Sequence, residues 1–175
     1  PPFSTHPLFI EAMADRVRSA LAQLPGVPVI FTAHSVPVSM AQTSPYVQEL
    51  EAACQRVAEA AGASDWNLVY QSRSGPPTQP WLGPDIGDYI RETRVDCVIA
   101  PIGFLSDHME VLYDLDTEVR AVCDELGLRM ARAGTVGTHP AMVRMISELL
   151  EQVPQPCAAT CCPAPQRPTP PPATR

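Results

Sequence analysis

Lysine is absent from this 175-residue chain: all 12 basic residues are arginine, against 19 aspartates and glutamates, and the formal net charge is −7. Nucleic-acid-binding surfaces are normally basic, so this balance argues against a nucleic-acid partner. The chain also lacks an apolar run near the ~20 residues that a membrane-spanning helix needs. Its longest candidate, CVIAPIGFL (97–105), contains a proline and predicts a buried strand instead. We therefore expect a cytoplasmic protein.

The two ends of the chain differ in character from the middle. The first residues, PPFSTHPLF, lack an initiator methionine and a signal-peptide pattern, so we expect the later part of a longer protein. From Pro154 onward, 8 of the last 22 residues are proline, a composition that does not pack as a regular element. We assign residues 1–152 to a folded domain and residues 153–175 to a disordered or extended tail.

The six cysteines are too few and too scattered for a secreted disulfide scaffold. Three fall in helix or strand patterns, and we expect them to be small buried side chains: Cys54, Cys97 and Cys123. The other three cluster in the tail, where there is no core to bury them: Cys157, Cys161 and Cys162.

Strand-forming and helix-forming patterns alternate along the domain. Strands are predicted at 27–35, 66–72, 96–102 and 129–135. Helices are predicted at 6–24, 44–62, 85–94, 106–127 and 139–153, with Ser106 as the N-cap of the fourth. Alternation of this kind produces a parallel sheet with helices on both faces. The predicted fold is therefore α/β, a four-stranded parallel sheet flanked by helices.

Polar residues follow the predicted strands. His34 lies at the end of the first strand and Ser72 at the end of the second, and the loop to His108 follows the third. Parallel α/β sheets bind ligands beyond the carboxyl ends of their strands. We therefore expect His34 and Glu110, although distant in sequence, to share one rim. A structural, hydrogen-bonded histidine is the alternative interpretation of His34.

The segment GFLSDHMEVLYDLDTE (103–118) contains five carboxylates and a histidine but no basic residue. Glu110, Asp114 and Glu118 are spaced by four and would form one ridge on an α-helix, where like charges cost about 0.2–0.5 kcal/mol per pair. The apolar residues predict a buried stripe beside this ridge: Leu105, Met109, Leu112, Val119, Val122 and Leu126. Carboxylates at the edge of a core, close to a histidine, suit a divalent cation with mixed nitrogen and oxygen ligands. The alternative is a solvated acidic face.

The loop RSGPPTQPWLGPD (73–85) is rich in proline and glycine, which excludes regular structure. It carries Trp81 between Pro80 and Leu82. An aromatic ring held in such a loop could stack on a flat ligand, or it could cap the domain core. Both interpretations stay open on the residues alone.

Four segments together resemble the successive motifs of ferrochelatases, in the same order and at similar spacing: FTAHSVP, LVYQSRSGPPTQPWLGPDI, PIGFLSDHMEVLYDLDTE and TVGTHP. The resemblance covers about residues 3–150 and implies one Rossmann-like half of a class II chelatase fold. It also implies insertion of Fe²⁺, as a substrate, into a porphyrin without an organic cofactor. The sequences of these motifs are most similar to those of actinobacterial members, which convert coproporphyrin III to coproheme.

The resemblance also implies roles for particular residues. His34 and Glu110 would face each other across the porphyrin cleft as the catalytic, ferrous-iron site. Asp114 and Glu118 would belong to an acidic ladder on a locally widened, π-type helix leading from solvent. Whether His34 binds the metal or accepts protons is left open.

Other matched positions are implied to contact or support the substrate. Trp81 and Phe104 match apolar residues that line the cleft, and Ser35 belongs to the motif of the strand-end histidine. Asp107 and His108 belong to the acidic motif as supporting groups.

Two features depart from the family. Only the second of its two α/β halves is recognisable, so the N-terminal half that completes the porphyrin site is missing, and activity of the chain alone is not implied. Many members end in cysteines that hold a 2Fe-2S cluster. The three tail cysteines, Cys157, Cys161 and Cys162, are candidate ligands, but no fourth ligand is identifiable, and a merely cysteine-bearing tail is the alternative.

Several functional alternatives remain at this stage. A protoporphyrin IX ferrochelatase is the nearest, and a cobalt chelatase acting on an earlier tetrapyrrole fits the motifs less well. A non-catalytic metal- or tetrapyrrole-binding half-domain is the alternative from another class. Contacts with a membrane surface or with other heme-pathway enzymes also stay open.

Overall fold

The computed structural model describes residues 2–76 and 78–152. Within them, four strands form one parallel sheet in the order β2-β1-β3-β4. The strands are β1 (Val29–His34), β2 (Trp66–Gln71), β3 (Cys97–Ala100) and β4 (Met130–Arg132). The predicted α/β fold with a four-stranded parallel sheet is confirmed. The tail assigned to 153–175, with its three cysteines, lies outside the described residues.

Helices connect the strands and cover both faces of the sheet. They are α1 (Pro7–Leu21), α2 (Val38–Ala41), α3 (Tyr46–Ala61), α4 (Ile86–Thr93), α5 (Met109–Val111), α6 (Arg120–Leu126) and α7 (Pro140–Glu151). A π-helix (Leu112–Val119) continues α5 directly into α6, so the π-type helix implied by the resemblance is confirmed. The short α2 was not predicted. In the described part of the chain, no helix has both the length and the apolar character needed to cross a membrane.

A hydrophobic core lies on each face of the sheet. Along β1, Val29, Phe31 and Ala33 belong to the core shared with α1, α3 and α7, whereas Ile30 belongs to the core under α4 and the π-helix. A strand buried on both faces needs apolar residues at every position rather than at alternate ones. This explains why the predicted strands are continuous apolar runs.

The acidic helical segment differs from its prediction in two respects. It begins at Met109, with His108 rather than Ser106 at the N-cap position. The predicted stripe is wrong at its first three residues, which are exposed: Leu105, Met109 and Leu112. The buried residues are Val111, Leu115, Val119, Val122 and Cys123. Leu105 lies before the helix and Met109 is its first residue, so the predicted α-helical phase does not apply to them, and Leu112 begins the π-helix, whose wider turn departs from that phase.

Two of the four histidines cap helices and are thereby given structural roles. Nδ1 of His6 accepts a hydrogen bond of 3.3 Å from the backbone nitrogen of Leu8 at the start of α1. Nδ1 of His139 accepts one of 3.2 Å from Ala141 at the start of α7. Caps of this kind satisfy backbone donors that the first helical turn leaves free. His34 and His108 are the two that remain for the carboxyl-terminal edge of the sheet.

Candidate active site

His34, the last residue of β1, meets Glu110, from α5, at the carboxyl-terminal edge of the sheet. The distance from Nε2 of His34 to Oε1 of Glu110 is 3.2 Å, and the two side chains are 37% and 46% exposed. The parallel topology thus brings together two side chains that are far apart in sequence, and it leaves both accessible to a ligand.

The second ring nitrogen of His34 determines what the pair can bind. Nδ1 lies 2.6 Å from the carbonyl oxygen of Ser35. A carbonyl oxygen can only accept, so Nδ1 carries a proton. In the neutral ring, Nε2 therefore presents a lone pair to a carboxylate that also offers only lone pairs. A proton or a metal cation between Nε2 and Oε1 would satisfy both atoms.

The backbone around His34 is fixed by hydrogen bonds from neighbouring elements. The hydroxyl of Tyr46 donates to the carbonyl oxygen of His34 at 2.8 Å. Burial raises the pKa of Tyr46, so this hydroxyl keeps its proton as the donor. Ser35, predicted to contact substrate, is 2% exposed, and its hydroxyl donates to the carbonyl oxygen of Leu82 at 2.7 Å. In this structure Ser35 thus ties the loop after β2 to the end of β1.

Phe104 provides an apolar wall beside the His34–Glu110 pair. It is 7% exposed, and its ring centroid lies 6.5 Å from that of His34. On its other side, the ring of His108 packs against it edge-on at 5.6 Å. Phe104 is therefore placed where it limits the space around His34 rather than free in solvent.

Trp81 lies in the loop that runs alongside the residues following β1. The loop is held there by backbone hydrogen bonds, from Leu82 to Val36 at 3.0 Å and from Val38 to Pro80 at 3.0 Å. The indole ring of Trp81 packs over Gly75 so closely that an added Cβ there would overlap it. Leu82, not Trp81, packs against the core beneath. The partly buried Trp81 ring therefore belongs to the loop surface.

Asp114, in the π-helix, is held by the end of β2. Nε2 of Gln71 donates to its Oδ2 at 3.1 Å, and the hydroxyl of Ser72 donates to the same oxygen. Gln71 is 1% exposed, so this donor is fixed by the sheet. The carboxylate therefore has one oxygen engaged and the other, Oδ1, left for a further partner.

A cavity of about 600 Å³ extends along the π-helix. Asp114 and Glu118 both line it, as do Arg73 and Arg91. Across residues 2–76 and 78–152, no group of three or more histidine, cysteine, aspartate or glutamate side chains is close enough to hold a metal ion.

Asp107 and Asp116, the remaining two carboxylates of the acidic segment, do not line this cavity but contact an arginine. Nε of Arg132, in β4, lies 2.6 Å from Asp116, and Nη1 lies 2.9 Å from Asp107. Burial acts to lower the pKa of Arg132, but the hydrogen bonds and charges of the two aspartates outweigh it and raise that pKa. The segment therefore contains carboxylates of two kinds, some paired with Arg132 and some facing the cavity or His34.

Gln71 and Arg132 were not singled out in the sequence. Each is a polar residue at the carboxyl end of its strand, at the edge where the site forms. That position is the signal that could have identified them, because a buried polar side chain needs a partner.

The three cysteines in the described residues are buried, as predicted. Burial raises the pKa of the Cys97 thiol to about 12 and also raises those of Cys54 and Cys123. In the absence of a metal ion these three thiols therefore stay protonated inside the core. The three candidate ligands of the tail lie outside the described residues, so the cluster stays a prediction.

Comparison with known proteins gives a consistent match. The sequence matches the family model described as Ferrochelatase over residues 1–153. The Ferrochelatase of Rhodopirellula baltica is 52% identical, over 84% of this chain and 44% of that protein. The Coproporphyrin III ferrochelatase of Nocardia farcinica is 42% identical, over 93% of this chain and 56% of that protein. The chain thus spans about half the length of these relatives.

Among solved structures, DR2241 from Deinococcus radiodurans resembles this chain with a TM-score of 0.59 at 17% identity. The match covers 86% of this chain and 30% of that one, which is described as a multi-domain protein with structural similarity to chelatases. At this identity the likeness concerns the fold alone.

Proposed function

Since this chain belongs to the ferrochelatase family, we propose that it forms the C-terminal half of an enzyme that inserts Fe²⁺ into coproporphyrin III. The observation that carries the proposal is the 3.2 Å contact between Nε2 of His34 and Oε1 of Glu110 at the carboxyl-terminal edge of the sheet. The reaction exchanges two pyrrole protons for one metal ion. It therefore needs metal ligands and proton acceptors at the same place.

In this proposal the acidic ladder, Glu110, Asp114 and Glu118, supplies the metal ligands. Asp114 and Glu118 line one cavity, and Glu110 lies four residues before Asp114, at the end nearest His34. Fe²⁺ must lose its water shell before it enters a porphyrin. Successive carboxylates can replace that water stepwise, since carboxylate oxygens are suitable ligands for a divalent ion.

His34 supplies the second requirement. With its proton on Nδ1, the neutral ring has one lone pair, on Nε2, for the substrate side. That lone pair can bind Fe²⁺ or accept a pyrrole proton, but not both at once, so the two roles would be sequential. Glu110, whose carboxylate faces the same point, is the second acceptor available within this half.

Phe104 and Trp81 are proposed to contribute to the wall of the porphyrin cleft from this half. Phe104 packs against the His34 ring, and Trp81 lies on the surface of the neighbouring loop. The relatives are about twice as long as this chain. The N-terminal half that they contain in addition would supply the opposite wall of the cleft. We propose coproporphyrin III rather than protoporphyrin IX as the substrate because two relatives at 42% identity are named Coproporphyrin III ferrochelatase.

The proposal can be tested in a chimera in which this chain replaces the C-terminal half of the Rhodopirellula baltica relative. Anaerobic mixing with Fe²⁺ and either coproporphyrin III or protoporphyrin IX, followed by absorbance, would report metal insertion. We expect turnover with coproporphyrin III to exceed turnover with protoporphyrin IX. The reverse preference would replace the proposed substrate, and porphyrin binding without insertion would favour a non-catalytic binding half.

Variants of the pair test the site within the same chimera. His34→Ala and Glu110→Gln should lose metal insertion but keep porphyrin binding, because neither change removes the cleft wall. Glu151→Gln, an exposed glutamate at the end of α7, serves as the matched control. Normal insertion by both site variants would refute the assignment.

The 2Fe-2S cluster proposed for the tail has a separate test. Iron and labile sulfide would be measured in the chimera with and without serine at the tail cysteines Cys157, Cys161 and Cys162. Loss of both elements in the variant supports thiolate ligation there, and an unchanged content refutes it. Neither result bears on metal insertion at His34.

A further inference from the structure

Arg132 connects β4 to both ends of the segment that carries Glu110. Its side chain is 14% exposed, and it contacts Asp107 on one side of Glu110 and Asp116 on the other. Its Nη1 also donates to the carbonyl oxygen of Ala133 at 3.2 Å, which fixes the guanidinium to its own strand. Charge-assisted hydrogen bonds of this kind are stronger than neutral ones and carry a defined geometry.

Besides these contacts, the start of the segment is held by the buried side chain of Val111, by the His108 ring against Phe104, and by a backbone hydrogen bond of 3.1 Å from Leu112 to His108. The helix begins at Met109 without a side-chain cap, and Met109 itself is 85% exposed. In the described residues, the polar contact of the Glu110 side chain is His34, across the cleft. The position of Glu110 therefore depends on how well the backbone on either side of it is fixed.

We propose that Arg132 is a positioning residue that holds Glu110 opposite His34 by clamping Asp107 and Asp116. The assignment rests on the proposed function in one respect, namely that Glu110 receives the iron. Arg132 contacts neither His34 nor Glu110 and would act on them only through Asp107 and Asp116. It also explains why the acidic segment includes carboxylates that do not face the cavity.

The first test measures position directly and requires no chelatase activity. Hydrogen–deuterium exchange would be compared in this chain for Arg132→Gln and for Arg129→Gln. Arg129 is the matched control, because its Nε and Nη2 each lie 2.7 Å from Oδ2 of Asp96 just before β4, but its side chain is 72% exposed. We expect at least tenfold faster exchange within residues 105–112 in Arg132→Gln alone. Equal exchange in both variants would overturn the proposal.

The second test, in the chimera, separates positioning from general destabilisation. Arg132→Gln should lower kcat/KM for Fe²⁺ at least tenfold, while KM for the porphyrin changes less than twofold. Arg132→Lys, which keeps the charge but reaches one carboxylate at a time, should retain an intermediate value. In a Glu110→Asp background, where the carboxylate is already displaced, the effect of Arg132→Gln should shrink to less than twofold.

If Arg132→Gln lowers kcat/KM for Fe²⁺ in the Glu110→Asp background as much as in the wild type, Arg132 does not act through Glu110. That result would overturn the proposal. A wild-type chimera that inserts no iron would refute the proposed function instead. The exchange measurement would then still decide whether Arg132 fixes the segment.

Discussion

Gln71 donates a hydrogen bond of 3.1 Å from its side-chain amide to Oδ2 of Asp114, joining the end of β2 to the π-helix. The hydroxyl of Ser72 donates to the same oxygen. Hydrogen bonds to one oxygen of a carboxylate fix the direction of its other oxygen, and such support matters where a carboxylate binds a metal. Asp114 is thus oriented by the sheet rather than by the helix that carries it.

Gln71→Met should raise KM for Fe²⁺ by about tenfold, since loss of such an orienting partner commonly costs that much in metal affinity. Stability should change by less than about 1 kcal/mol, because the variant removes one hydrogen bond and also a buried amide oxygen that has no partner in the described residues. Initial rates in the chimera against Fe²⁺ concentration check the first expectation, and urea unfolding checks the second. Gln55→Met, on the exposed face of α3, is the control. An unchanged KM for Fe²⁺ would show that Asp114 needs no support.

The fold was predictable because its determinants are local. A strand buried on both faces must be apolar throughout, so the run Val29, Ile30 and Phe31 predicted β1. Gly62 predicted the end of α3. In a parallel sheet, all the carboxyl ends of the strands lie at one edge. The order of the elements alone therefore predicted that His34 and Glu110 lie near each other.

The parts of the site that were not predicted depend on tertiary context. Met109 is exposed because the helix begins there rather than at Ser106, and Leu112 is exposed where the π-helix departs from the α-helical pattern. Arg132 looks like any charged residue near a strand end until Asp107 and Asp116 are known to face it. The hydrogen bond from Ser35 to Leu82 was not predicted because Leu82 lies in a loop of irregular structure, and the contact of Ser35 with substrate stays a prediction.

Gly75→Ala should weaken porphyrin binding in the chimera. The added methyl group would overlap the indole ring of Trp81, so the ring must move out of its place on the loop. Fluorescence quenching of the bound porphyrin should give an affinity about tenfold lower, with KM for Fe²⁺ unchanged. Gly134→Ala is the control, because its nearest neighbour is the Arg16 side chain at 3.8 Å, an ordinary contact. Equal affinity in both variants would place Trp81 outside the porphyrin cleft.

Asp15 makes the stability of this chain depend on acidic pH. Its hydrogen bond from Arg18, with a smaller contribution from His139, lowers the pKa of Asp15 below its ordinary value of 3.8. A group with a lowered folded-state pKa stabilises the fold above the unfolded value and loses that effect as pH falls through the folded value. Because the pair is nearly half exposed, the effect should be at most about 1 kcal/mol.

Asp15→Asn should therefore be less stable than the wild type at pH 7, and the difference should narrow as the pH falls below 3.8. Urea unfolding at pH 7 and at pH 3 measures both values. Asp124→Asn, an exposed residue of α6, should show no such pH-dependent difference. A difference for Asp15→Asn that is the same at both pH values would exclude its charge as the cause.

Burial should make the cysteines of the folded domain unreactive. With a pKa raised to about 12, Cys97 at pH 8 has a thiolate fraction roughly a thousandfold below that of an ordinary thiol with a pKa of about 8.5. In a variant with serine at the three tail cysteines, iodoacetamide should label none of Cys54, Cys97 and Cys123 until urea is added. Ala22→Cys, at an exposed position after α1, should label at once in the same background. Labelling of a buried cysteine at the rate of this control would contradict the expectation.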